Sequence, residues 1–170
     1  TKDTIKILRD LNKGYPFPSD EKERLEHMAL GEWNKEIVDK AIKYMADGDP
    51  ESLGLLMTEA EYMFNKYVAP MSSALDAPKL ASVLNDSNIK PLIYGGKGVG
   101  SHGDGSVQFL ARDKESQLQL RDYLNANGMK AYCLTINPVH TVRKAIIPVA
   151  GFGTRLYPAT RTTKKDFIPM

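Results

Sequence analysis

Residues Ile89–Ala111 read IKPLIYGGKGVGSHGDGSVQFLA, two apolar runs flanking twelve residues, Gly95–Ser106, of which six are glycine. Ile89–Tyr94 and Val107–Ala111 have the short apolar composition of strands, bounded by turn residues. Everything before Asn85 has a different period. Helices come first and strands follow, an order that predicts an α+β fold: a helical bundle packed on a small, mainly antiparallel sheet.

Working back from the glycine stretch, Thr4–Leu11 is a short amphipathic helix that ends in the breakers Gly14-Tyr15-Pro16-Phe17-Pro18. Ser19 caps the next helix, whose first turn carries Asp20, Glu21 and Glu23, acids suited to a positive helix end. Leu25, Met28, Ala29, Trp33, Ile37, Ala41, Tyr44 and Met45 then recur at three or four, predicting one long helix with one buried stripe. Gly48 stops it. Asp49 caps its successor with Pro50 at the first helical position, where a missing N–H costs nothing. That helix presents Leu53, Leu56, Met57, Ala60, Met63, Phe64 and Tyr67 on one face, and a shorter one from Ala77 to Leu84 takes Asp76 as its cap.

Downstream, Asp113 caps a helix through Leu118, Leu120 and Leu124, stopped at Asn127-Gly128. Met129–Ile136 is expected as a third strand. A connector, residues 138–143, leads to the apolar run Ala145–Val149. The 170 residues are 42% hydrophobic and 26% charged, enough for a core and too apolar for disorder. A net charge of +2 gives no field for nucleic acid or an anionic membrane, and no run approaches the ~18 apolar residues of a span. The lone Cys133 excludes an internal disulfide, fits a reducing cytoplasm, and reads as a packing residue.

The glycines of Gly95–Ser106 let backbone N–H groups turn inward on a phosphate; equally, they can make a long hairpin connection with no ligand. The spacing is not that of a Walker loop, and no helix follows as in a dinucleotide fold. With Lys97, Gly100, Gly103 and Gly105 in register before Val107–Ala111, the stretch resembles the third motif of the GHMP small-molecule kinases. Met45–Met57, MADGDPESLGLLM, is similar to the helix–turn–helix of the same family. The resemblance covers about residues 1–137 and implies the C-terminal domain of such a kinase, with these residues on its cleft wall. His102 and Asp104 depart from the small residues of the family loop. They are either contacts for a sugar hydroxyl or a metal-bound phosphate, or turn residues facing water. No other His or carboxylate sits at zinc-ligand spacing, so no metal ligand is assigned.

The last stretch, residues 144–170, runs KAIIPVAGFGTRLYPATRTTKKDFIPM. Its strand, glycine turn, Thr-Arg and Pro-x-Thr resemble the opening of the sugar-1-phosphate nucleotidyltransferases, nearest the UTP–glucose-1-phosphate uridylyltransferases and their thymidylyl relatives. The resemblance implies nucleotide and phosphate contacts from Gly151, Gly153 and Thr154, and catalytic contacts from Arg155 and Lys165. Arg155 offers a forked donor to phosphate oxygens. Lys164 stands where the family usually has proline.

Together the two resemblances imply part of a bifunctional enzyme of nucleotide-sugar synthesis. An ATP-dependent kinase would make a sugar 1-phosphate, and a transferase would join it to UTP or dTTP with Mg²⁺. The alternative is a kinase-like domain without activity, serving as an interaction module for the transferase. Neither end of the chain reads as natural, so the expectation is a piece of a longer polypeptide, inactive alone. The run 145–149 is then an orphan strand, expected to add to a sheet edge of this chain or of a neighbour in a strand-swapped dimer.

Overall fold

The computed structural model describes residues 3–100 and 104–135. The chain divides into two units, residues 1–138 and 139–170, and the described residues all belong to the first. Its helices are α1 (Thr4–Leu11), α2 (Glu21–Leu30), α3 (Glu32–Asp47), α4 (Pro50–Met63), α5 (Pro78–Leu84) and α6 (Lys114–Ala126). Its strands are β1 (Ile93–Gly98) and β2 (Val107–Ala111), an antiparallel pair with Gly95 opposite Leu110 and Gly98 opposite Val107. The architecture is α+β, as the order of periods predicts. No described helix is long and apolar enough to cross a membrane.

Several helix ends follow the local chemistry. Asp49 accepts from the Ser52 N–H at 3.0 Å, Pro50 opens α4, and Gly48 takes φ +69°, where a side chain would strain the backbone. Asp113 accepts from the Ser116 N–H at 2.7 Å to start α6. Others differ from expectation. The long helix predicted from Ser19 to Gly48 is two, α2 and α3, broken at Gly31, whose φ −104°, ψ −98° is not helical. The cap of α2 is Asp20, accepting from the Glu23 N–H at 2.8 Å. Ser19 stands one residue earlier and donates to the Glu23 carboxylate. Met45 is exposed, because α3 turns Trp33, Ile37, Ala41 and Tyr44 inward instead.

Two apolar cores result. One gathers Ile7, Val68 and Leu75, with Leu11, Ala29 and Phe64 against them. Here α4 passes through a wide π-type turn, Phe64–Val68, into the short turns Ala69–Met71 and Ser73–Leu75. Asp10 ties α1 to these turns, accepting from Lys6 Nζ at 2.8 Å and from Ser72 Oγ at 2.7 Å. Those bonds, Lys6 first, hold its carboxyl below the usual range. The other core gathers Ile89, Leu120 and Leu124, with Val83, Ile93, Phe109 and Tyr123 around them. Ile89 therefore belongs to that core and not to a strand. Pro91, lacking an N–H, lies in the 3₁₀ turn Lys90–Leu92, and β1 starts at Ile93.

The expected third strand is absent among the described residues 129–135. The alternation is present, with Ala131 and Cys133 half-buried and Tyr132 and Leu134 exposed, but no strand pairs with it. It lies along α6, where Asn125 Oδ1 accepts from Ala131 N–H and Gln117 Nε2 donates to the Leu134 carbonyl. Residue 136 and the orphan run 145–149 lie outside the described residues.

Between the cores, α4 lies on β1 without side chains intervening. A Cβ on Gly95 would overlap the Gly54 carbonyl and approach Thr58 Oγ1 to 2.7 Å, and a Cβ on Gly54 would overlap Tyr94. Gly95→Ala should therefore cost at least about 2 kcal/mol, an overpacking penalty against backbone that cannot yield. Urea denaturation measures it, with Gly100→Asn as the control: Gly100 has φ +65° but open space, and asparagine accepts that conformation at small cost.

Candidate functional site

The glycine stretch is built from β1 outward. A third of what reads as a loop is strand, since Gly95, Gly96, Lys97 and Gly98 all pair with β2. Two of its glycines answer to packing. Gly95 meets α4, and Gly96 leaves room for the Phe109 ring. The remaining turn is closed at its base by Val99 N–H donating to the Ser106 carbonyl at 2.9 Å. Gly100 and Gly105 are exposed, while Gly103 and His102 lie outside the described residues.

Gly98 is held on both sides. Its N–H donates to Glu61 Oε2 at 2.8 Å, and Lys97 Nζ donates to its carbonyl at 2.8 Å. Glu61 is buried on α4, and its other oxygen accepts from Asn65 Nδ2 at 2.9 Å. The spacing explains why helix and strand meet twice. From Gly54 to Glu61 is seven residues, about 10.5 Å of helix, and from Gly95 to Gly98 is three, about 10 Å of strand. The two elements run in step, so the glycine contact at one end places the carboxylate contact at the other. Glu61 was not singled out from the sequence; it occupies a polar position on a face counted as apolar, and only its strand partner reveals it.

Asp104 has a structural task. Its Oδ1 accepts from the Lys79 and Leu80 N–H groups at 2.8 and 3.0 Å. These are first-turn donors of α5, whose cap residue Ala77 supplies no side-chain bond. The expected cap, Asp76, is replaced by a carboxylate reaching over from the far side of the glycine turn. Of the residues singled out in the glycine stretch, the structure places Lys97 and Asp104 on one ribbon, and it adds Gly98 and Glu61, which the sequence did not single out. Among the described residues no three His, Cys, Asp or Glu are grouped to hold a metal ion. Gly151, Gly153, Thr154, Arg155 and Lys165 lie outside the described residues.

Comparison with known proteins bears on one short stretch. A protein of Methanocaldococcus jannaschii described as "Putative UTP--glucose-1-phosphate uridylyltransferase" is 59% identical over 29 residues, which is 17% of this chain and 10% of that protein. The chain thus spans about a tenth of the length of the curated relative it matches. No family model and no solved structure matches. The chain therefore carries a uridylyltransferase-like stretch.

Replacing Asp104 with alanine should strip the cap from α5, costing about 1 kcal/mol. Hydrogen exchange would show it as lost protection at the Lys79 and Leu80 amides. Glu61→Ala should cost more, about 1.5–3 kcal/mol, since it leaves the buried Gly98 N–H without its charged acceptor. Its lost protection should appear at Gly98 while α5 is unchanged.

Proposed function

We propose that these residues belong to an enzyme of nucleotide-sugar synthesis in which a kinase-type domain precedes a sugar-1-phosphate nucleotidyltransferase. The observation that carries the reading is the 59% identity over 29 residues to a protein described as a uridylyltransferase. We assign that match to the end of the chain that includes residues 144–170, where glycine turn, Thr-Arg and Pro-x-Thr follow an apolar run.

The chemistry accounts for the residue types. An oxygen of a sugar 1-phosphate attacks the α-phosphorus of UTP or dTTP, a P–O bond forms, and pyrophosphate leaves with the bonding pair. Negative charge builds on the phosphates, and fixed donors that meet it without reorganising lower the barrier. Gly151, Gly153 and Thr154 would bring backbone close to the nucleotide, and Arg155 and Lys165 would supply the cations. Mg²⁺, when bound, would screen the same phosphates, and its ligands are not assigned among these residues.

For residues 1–137 the kinase reading rests on a helix pair turned at Gly48-Asp49, followed by a lysine-bearing glycine ribbon seated on the second helix. In that reading ATP and a sugar are its substrates, and Lys97, Gly100 and the turn that includes Gly105 line the nucleotide cleft. The product of the first step would be the substrate of the second, a chemical reason for joining them. The work of Gly95, Gly96 and Asp104 in packing and capping favours a second reading, an inactive kinase-like module that supports the transferase.

Product analysis of the complete polypeptide with ATP, UTP and a panel of sugars separates the two. The first reading expects a sugar 1-phosphate and then a nucleoside diphosphate sugar; the second expects the latter only when sugar 1-phosphate is supplied. In either case Arg155→Ala should lower nucleotidyl transfer by at least tenfold, from about 1.5–3 kcal/mol of lost charge-assisted contact. Sugar phosphorylation, where present, should stay near wild type. A transferase unaffected by this change would remove Arg155 from the site.

A further inference from the structure

Away from the glycine ribbon, the most buried polar group of the described residues is the carboxylate of Glu26, 0% exposed in the middle of α2. Neither of its oxygens has a hydrogen-bond partner among the described residues. Nor does the buried Nε2 of the next residue, His27, which stands 3.5 Å from Glu26 Oε2. Three polar atoms thus lie out of solvent with no hydrogen bond from the described residues. Native interiors rarely leave such groups unsatisfied, and each case calls for a physical cause.

The surroundings narrow the cause. Ala29, three residues on, packs with Ile7, Val68 and Leu75, so Glu26 sits on the same side of the molecule as that apolar core. Glu23, one turn back, is engaged by Ser19. The Tyr15 ring stands edge-on to His27, covering it from the Gly14–Pro18 loop. Lys66, from the π-type turn, lies over the rings of Tyr62 and Tyr67, and Lys35, from α3, is closed on Asp39. No cation from a packed element among the described residues reaches Glu26. No water-sized space touches its carboxylate either, which excludes a water, an ammonium or a metal ion without rearrangement. The ligand small enough to fit is a proton.

We propose that the Glu26–His27 pair is a buried proton site, and that its occupancy sets how firmly α2 is seated on the core. With the proton in place the carboxyl is neutral, and its burial leaves no bare charge in the apolar setting. When the proton leaves for solvent, a bare carboxylate remains in an apolar setting, and the relief available is to lift α2 and hydrate it. Burial pushes the Glu26 carboxyl above its usual range, with a charged His27 opposing and Glu23 adding to the shift. The sign is set by that direction. The folded chain holds this proton more tightly than the unfolded chain does. Stability from this group is therefore full below the unfolded carboxyl value, about 4.3, and is lost as pH rises toward the raised folded value.

The test is urea denaturation of the 170-residue chain from about pH 4 to about pH 8, for wild type, Glu26→Gln and Glu23→Gln, with ¹³C NMR titration of the Glu26 carboxyl. Wild type should lose up to tenfold in folding constant per pH unit through the window. Glu26→Gln should lack that loss, meet wild type at the acidic end, and exceed it at neutral pH, by tenfold for each unit of upward shift that the ¹³C titration reads. Amide protection in α2 should fall with pH in wild type and hold in Glu26→Gln. Glu23 has the opposite sign: the Ser19 hydroxyl and N–H hold its carboxyl below the usual range, so Glu23→Gln should cost stability at neutral pH. Parallel profiles for wild type and Glu26→Gln, or a Glu26 carboxyl titrating at its ordinary value, would overturn the proposal. The ¹³C titration on wild type decides alone if Glu26→Gln does not fold.

Discussion

The structure depends on one approach that side chains would prevent: Gly54 of α4 against Tyr94 and Gly95 of β1. Two backbones meet there at a distance only glycine permits on both sides. The contact fixes the strand on the helix, and the commensurate rise of the two elements carries the register forward to Glu61 and Gly98. Apolar packing alone would not do this. It is non-directional and would tolerate a strand shifted along the helix, whereas a backbone contact and a buried hydrogen bond do not.

Carboxylates show how position decides role. Asp10, Glu61 and Asp104 each close a gap between elements distant in sequence, and each finds hydrogen-bond donors there. Glu26 is buried more deeply than any of these and finds none among the described residues. A carboxylate that accepts N–H or O–H bonds is stabilised in its charged form, while one surrounded by apolar groups is not. The same kind of side chain is thus a rivet in one setting and a point of weakness in another.

The glycine ribbon carries both structural and functional readings because its glycines do different jobs. Gly95 and Gly96 serve packing, Gly98 is a tethering point, and Gly100 supplies a left-handed turn facing open space. The base of the turn is anchored by the Val99–Ser106 bond and by Glu61 on Gly98. At the other end of the chain, support for a nucleotidyltransferase is of a different kind, a short stretch of identity, and it is there that the proposed chemistry is most specific.

The sequence by itself determined the α+β class, the bounds of α1, the caps Asp49 and Asp113, the strand Val107–Ala111 and the left-handed stops at Gly48 and Gly128. All of these are local, written in spacings of three or four residues or in a single φ. It also marked Lys97 and the glycines of the candidate site. Tertiary structure decided the rest. Gly31 broke one apolar stripe into two helices, and Trp33 of the second packs against Tyr67. Ile89 went to a core and β1 began late, because Pro91 could not pair. Residues 129–135 kept their alternation without becoming a strand, because pairing needs a neighbour that period alone does not supply. Glu61 and Asp104 took their roles from partners 37 and 24 to 25 residues away. Glu26 was buried among residues whose period gave no sign of it. A side chain's period tells which way it points on its own element; what it meets there is set by the elements that pack against it.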